Sequence, residues 1–189
     1  MTKKQGPHRL GRFLAYILRH DPAAANIELD QQGWVSLKEL LSGLRSVGRQ
    51  VTMDDILEAV AADNKQRYAI SENGLRIRAN QGHSIAVDLK LEPVEPPEML
   101  WHGTVPAALD SIRAQGLLPQ KRHHVHLSGD EATARTVGAR RGNPVILPIL
   151  SGAMQAQGHT FYLTANGVWL TSEVPALFID FANCIFHKK

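Results

Sequence analysis

The sequence predicts an α+β protein of two lobes, on three observations. The front half carries three stretches of helical periodicity closed by a hairpin signal. The back half is dominated by short strand patterns with two helices between them. Between the halves lies Glu92-Pro93-Val94-Glu95-Pro96-Pro97-Glu98, acidic, stiff and unable to sustain a helix or a central strand. The expected organisation is a lobe over 1–91, a proline-rich linker over 92–98 and a second lobe over 99–189.

In the front half, Leu10, Phe13, Leu14, Ile17 and Leu18 recur at helical spacing and predict a helix over 8–19. Asp21-Pro22 ends it, because proline turns its predecessor away from the helical region. Arg19 and His20 then lie at the helix carboxyl end. There they complement the dipole, reach outward to a ligand, or do both. Residues 6–12 could also touch a partner, the plainer reading being a solvated terminus. Ser36 with Glu39 and Thr52 with Asp55 form capping boxes that open a second and a third helix. Arg67 to Ile70 and Leu75 to Arg78 flank Asn73-Gly74, a hairpin in which Arg67, Arg76 and Arg78 would lie. Three small helices and a two-stranded wing describe a winged-helix lobe, a module that binds nucleic acid or docks proteins. Residues 82–89 form one further strand in this reading.

In the back half, Met99-Leu100-Trp101 runs as a strand into His102-Gly103-Thr104, and Thr104 caps a helix that has Pro106 in its first turn and Gly116 as its stop. The next strand, 121–128, alternates Val125 and Leu127 with His124 and His126, and has Lys121 and Arg122 at its start. Its polar face holds Arg, His and Ser without an acid. That suits an anion better than a zinc ion, and equally describes a solvated surface strand. Ser128 with Glu131 reads as a further capping box, opening a helix to about Ala139. Val145 to Leu150 is a continuous apolar run expected to form a central strand. Phe161–Thr164 and Val168–Thr171 flank Asn166-Gly167 as a second hairpin, and 179–186 closes the chain as a strand.

Composition bounds the rest. The chain is 43% hydrophobic and 21% charged, as ordinary globular proteins are, and has no apolar run able to span a membrane. The basic first residues are not followed by a signal-peptide core. A single cysteine, Cys184, excludes an internal disulfide and fits a reducing cytoplasm. A net charge of +3 with nine histidines permits a polyanionic partner without requiring one.

His-Gly-Thr after a strand is short enough to be no more than a capped helix start. Its glycine would also leave the backbone open to a flat ligand ring, with His102 and Thr104 as hydrogen-bonding neighbours. The order of motifs is more specific. Arg19-His20, Arg67 opening the hairpin, His102-Gly103-Thr104, Gly116-Leu117-Leu118-Pro119 followed by the Lys121–Ser128 run, and Val137-Gly138-Ala139-Arg140-Arg141-Gly142-Asn143-Pro144 succeed one another. Together they resemble the RNA 2′-phosphotransferase family, and the likeness runs over about 10–179.

The resemblance implies a winged-helix RNA lobe joined to a lobe of ADP-ribosyltransferase fold, a split β-sheet that binds NAD. It implies that an internal RNA 2′-phosphate attacks the anomeric carbon of the nicotinamide ribose and expels nicotinamide. The ribose 2″-hydroxyl then attacks the phosphorus, releasing 2′-hydroxyl RNA and ADP-ribose 1″,2″-cyclic phosphate. The family's basic tetrad falls on Arg19, His20, Arg67 and Arg122. NAD contacts fall on His102, Gly103, Thr104, His126, Ser128, Gly138 and Arg140, although Arg140 and Arg141 could equally balance a helix end. No metal is expected, and Glu173 receives no role. The protein is expected to be a cytoplasmic monomer acting on 2′-phosphorylated RNA, such as a tRNA splice junction. Two alternatives stand beside this reading. One is ADP-ribosylation of terminal phosphates of RNA or DNA; the other is a non-catalytic nucleic-acid-binding regulator.

Overall fold

A computed structural model describes residues 7–187 of the chain. The chain divides into two compact units, residues 1–90 and 91–189. Helices and strands are mixed in both, as the α+β class requires.

In the first unit, α1 (Pro7–Ile17) buries Leu10, Leu14 and Ile17, the stripe its periodicity predicts. It ends two residues before the expected Arg19. Residues 18–20 form a turn, and the Asp21 carboxylate accepts the Ala24 N–H at 3.2 Å to cap a 3₁₀ turn, Pro22–Ala25. Both capping boxes form as expected, at Ser36 for α2 (Leu37–Ser46) and at Thr52 for α3 (Met53–Ala61). Each such cap stabilises its helix by about 1 kcal/mol. The hairpin β2 (Tyr68–Ile70) and β3 (Arg76–Ala79) pairs Tyr68 with Ala79 and Ile70 with Ile77. A third strand, β1 (Val35–Ser36), lies on the other side of β3, in the order β1-β3-β2. At two residues it is too short to show a period. Residues 82–89 are irregular, not the strand expected: the Ser84 and Asp88 N–H groups go to the carbonyls of Arg19 and Gln31 in place of a ladder.

The second unit is built on a six-stranded antiparallel sheet. Its strands are β4 (Leu100–Thr104), β5 (Val125–Ser128), β6 (Val145–Ile149), β7 (Phe161–Leu163), β8 (Val168–Thr171) and β9 (Ile185–Phe186). Their order is β7-β8-β5-β4-β6-β9. The sheet carries α4 (Leu109–Gln115), α5 (Glu131–Gly138) and α6 (Ser151–Ala156), of which α6 was not expected. Every residue of β6 is buried, as its unbroken apolar run requires. The 92–98 segment joins this unit: Pro93 bridges to Tyr162, and the Val94 N–H donates to the Phe161 carbonyl at 2.9 Å. No helix among the described residues is long and apolar enough to cross a membrane.

Four local expectations are corrected. Lys121 to His123 lie in a turn before β5, where the Arg122 N–H donates to the Pro119 carbonyl at 3.1 Å. Ser128 does not cap α5, because its backbone is taken up in pairing with Trp101 and Val168; Asp130 caps the helix, accepting the Thr133 N–H at 2.8 Å. Thr104 likewise ends β4 opposite Val145, and the 3₁₀ turn Pro106–Ala108 before α4 starts without a side-chain cap. The 179–186 strand reduces to Ile185–Phe186, since the Asp180 carboxylate gathers the Asn183 N–H groups into a turn.

Helix α5 crosses β4 at main-chain contact. A Cβ on Gly103 would stand 1.9 Å from the Ala134 carbonyl oxygen, and one on Gly138 would meet the Thr104 oxygen at 3.0 Å. The absent side chain of Gly103 therefore admits α5, not the flat ligand ring expected on that side. Because the obstacle is backbone and cannot swing aside, Gly103→Ala is expected to destabilise the fold by about 3 kcal/mol or more, read as a lowered urea midpoint.

Candidate active site

The site residues expected from sequence fall into two groups, one in each unit. In the first unit, Arg19 and His20 occupy the turn after α1, and Arg67 immediately precedes β2. The segment 82–84 holds the first two. Gly82, at φ +87°, borders the Arg19 guanidinium: a Cβ there would lie in ordinary contact with it, at 3.8 Å. The Arg19 carbonyl accepts the Ser84 N–H at 2.9 Å, and His20 Nδ1 is hydrogen-bonded to the Ser84 hydroxyl at 2.9 Å.

Arg67 is held by Asp63, whose side chain is 5% exposed. One carboxylate oxygen accepts the Arg67 main-chain N–H at 2.6 Å, and the other lies 2.9 Å from Nη2. Burial raises the Tyr68 phenol above its usual range, while Arg67 and Arg19 both pull it back down. The two arginines therefore share one neighbourhood, beside a tyrosine whose hydroxyl donates to the Gly11 carbonyl. Arg76 and Arg78 of the same hairpin are turned elsewhere. Arg76 pairs with Asp30, and Arg78 lies 4.6 Å over the Trp34 ring.

In the second unit the sheet opens at the expected site. β4 pairs with β6 along its whole length, from Leu100 opposite Ile149 to Thr104 opposite Val145. Its pairing with β5 is limited to Trp101 opposite Ser128. Where the two strands part, His102 Nδ1–H donates to the His126 carbonyl at 3.2 Å, and His126 Nδ1–H donates to the His124 carbonyl at 3.0 Å. A carbonyl can only accept, so both rings carry their proton on Nδ1. Burial pushes His102 below the ordinary histidine value; the His126 carbonyl partly opposes this, and Arg141 adds to it. His102 is thus a neutral imidazole that presents a bare Nε2.

Three guanidinium groups accompany these histidines. Arg122 is exposed in its turn, and crowding by protein lowers it from its ordinary value, with Arg141 and Arg140 adding repulsion. Arg140 and Arg141 lie just past the end of α5. Thr104 is buried at the end of β4, and Gly138 is buried against Pro144 and the Gly103–Thr104 backbone. Gly138 thus has a packing role whether or not a ligand passes nearby. Burial also lowers His124, whose ring meets Tyr162 edge-on at 5.6 Å.

Asp63 and Ser84, which orient Arg67 and His20, carry no mark in the sequence. Asp63 lies beyond the end of α3, where helical spacing no longer reports what faces what, and Ser84 lies in an irregular segment.

Residues 5–173 match the family model described as "RNA 2'-phosphotransferase, Tpt1 / KptA family". A protein of Rhodopirellula baltica named "Probable RNA 2'-phosphotransferase" is 48% identical over 171 residues, covering 90% of this chain and 93% of its own. A protein of the same name from Pseudomonas fluorescens is 52% identical over 169 residues, covering 89% of this chain and 93% of its own. The chain belongs to the RNA 2′-phosphotransferase family.

The half-buried histidines give a pH signature. The folded state keeps His102 and His124 neutral where the unfolded chain would protonate them, so the unfolded state binds more protons and stability rises with pH. Stability is expected to fall as pH drops through the ordinary histidine value of 6.5. Calorimetric melting of His102→Asn between about pH 7.5 and 5.5 should show a shallower loss than the parent.

Proposed function

We infer that this chain is an NAD-dependent RNA 2′-phosphotransferase, with a winged-helix RNA lobe in its first unit and an ADP-ribosyltransferase-like split sheet in its second. The observation that carries the reading is the parting of β4 from β5, with two main-chain-locked histidines and three nearby arginines, in a member of this family. The order β1-β3-β2 beside three helices supports the winged-helix assignment.

The donor set of the second unit suits a dinucleotide. The bare Nε2 of neutral His102 accepts from a ribose hydroxyl, and Arg140 and Arg141 supply positive charge for a pyrophosphate. In this reading His102, Thr104, His126, Ser128 and Arg140 hold NAD, while Gly103 and Gly138 bring the backbone of β4 and α5 close enough together to shape the site. NAD supplies an electrophilic ribose carbon with nicotinamide as leaving group, and a neighbouring hydroxyl to take over the phosphoryl group.

The chain's own contribution is positioning and charge. The RNA 2′-phosphate is already an anionic nucleophile and needs no base to activate it. The residues this reading assigns to its oxygens are Arg19 and Arg67 in the first unit and Arg122 in the second, each a planar fork suited to phosphate. Asp63 keeps Arg67 from swinging away. When the 2′-oxygen of RNA departs, negative charge develops on it and on the phosphoryl oxygens, and the same guanidinium groups stabilise that charge. His20, fixed at Nδ1 by Ser84, binds a phosphoryl oxygen or moves a proton through Nε2.

Product analysis tests the reading. A 2′-phosphorylated oligonucleotide with NAD should yield 2′-hydroxyl RNA and ADP-ribose 1″,2″-cyclic phosphate. Accumulation of ADP-ribosylated RNA alone would indicate a transferase that stops at the first step, and no turnover would indicate a binding protein. Arg122→Ala is expected to lower kcat by about a hundredfold or more, with Arg122→Lys recovering little of it because an ammonium lacks the bidentate fork. Arg140→Ala should instead raise the KM for NAD and leave kcat near the parent's; unchanged NAD kinetics would remove Arg140 from the site.

A further inference from the structure

Along α1, Arg9, Arg12, Phe13 and Tyr16 share one helical face, and His20 continues that line in the turn that follows. Arg9, Arg12, Tyr16 and His20 are exposed, and Phe13 is half-buried. The aromatic rings follow one another at 6.4 Å from Phe13 to Tyr16 and 6.2 Å from Tyr16 to His20. Arg49 arrives from the loop after α2 and lies 3.5 Å over the Phe13 ring. It opens onto a shallow concavity of about 510 Å³, lined by Arg45, Arg49 and Thr52 among others.

Neither α1 nor the stretch 44–51 contains an acidic residue. Arg9 lies close enough to Arg49 to reinforce the lowering that burial imposes on it. The acids that follow these two segments in sequence are committed elsewhere or exposed on α3, as is Glu58. Asp21 takes the Tyr16 hydroxyl at 2.9 Å and caps the 3₁₀ turn, Asp55 closes the capping box of α3, and Asp54 is exposed in its first turn. Gathering cations along the first half of a helix runs against its dipole, so local stability does not account for the arrangement.

We propose that the exposed stripe Arg9–Arg12–Phe13–Tyr16–His20, extended by Arg45 and Arg49, is a track for single-stranded RNA flanking the 2′-phosphate. It rests on the functional reading above, which puts that phosphate at Arg19 and His20. Interleaved cations and aromatic rings are what a single strand needs: charge for its phosphates and, at the exposed Tyr16 and His20, flat faces for its unpaired bases. From Arg9 to Tyr16 the helix rise gives about 10 Å, or some three stacked nucleotides at about 3.4 Å each, with His20 in the turn beyond. The track therefore engages nucleotides outside the reacting one, and distinguishes a long strand from a minimal substrate.

The test uses the full chain and the double variant Arg9→Ala/Arg12→Ala, both positions being exposed. Two single-stranded RNAs are compared, a dinucleotide and an oligonucleotide of about ten residues, each as plain 2′-hydroxyl RNA for binding and with one 2′-phosphate for turnover. The variant should bind the longer plain RNA on the order of tenfold more weakly, with a log–log salt slope shallower by about 1.4 for two lost phosphate contacts. Its kcat should match the parent's on both substrates, and its KM should rise for the longer one alone. Equal losses on both lengths, an unchanged affinity for the longer strand, or a preference for a duplex of that length would overturn the track. A parent that turns over neither substrate would overturn the functional reading, while binding of the plain RNA would still decide the track.

Discussion

The second unit depends on how closely the backbone of α5 approaches that of β4. Gly103 and Gly138 face one another across this crossing, and neither position has room for a methyl group without moving main chain. Such an approach fixes β4 against a helix on one side while β6 pairs it along its edge. β4 is then so firmly set that it need not follow β5, and the two separate beyond Trp101 and Ser128. The histidines stand in that separation. Their rings are oriented by main-chain carbonyls, so their tautomers follow from backbone geometry alone.

The charges obey a different logic. Arg122 is lowered from its ordinary value by partial burial first, and then by repulsion from Arg141 and Arg140. In the first unit, by contrast, a carboxylate that is 5% exposed braces Arg67, and Ser84 settles the turn that carries Arg19 and His20. One group of cations is restrained by its neighbours and the other repels itself. Both leave the protein with positive charge that folding does not call for, the usual mark of a surface selected for an anion.

Much of this was legible in the sequence, and the exceptions have physical causes. The capping boxes at Ser36 and Thr52 and the turns at Asn73-Gly74 and Asn166-Gly167 are local chemistry, set within four residues, and they form as written. Ser128 carries the same local signal and fails, because a sheet partner on each side claims its backbone first. β1 and β9 were missed or overdrawn because a two-residue strand has no period to read. Gly103 was noticed for a sound reason, the need for close approach, but what approaches is a helix of the same chain. Asp63 and Ser84 were invisible because their partners come from turns and irregular backbone, which follow neither helical nor strand spacing.

The single rung between β4 and β5 also bears on how this unit moves. Mechanically the sheet is two three-stranded halves, β7-β8-β5 and β4-β6-β9, almost without a hydrogen-bonded ladder between them. Cohesion across that seam falls to the apolar side chains beneath it, among them Leu100, Val125, Leu127 and Leu147. Oily contacts of this kind tolerate a small slide or hinge that a full ladder would resist. Breathing of the unit should therefore concentrate along the line between the halves, so that the width of the opening can vary while each half keeps its own register.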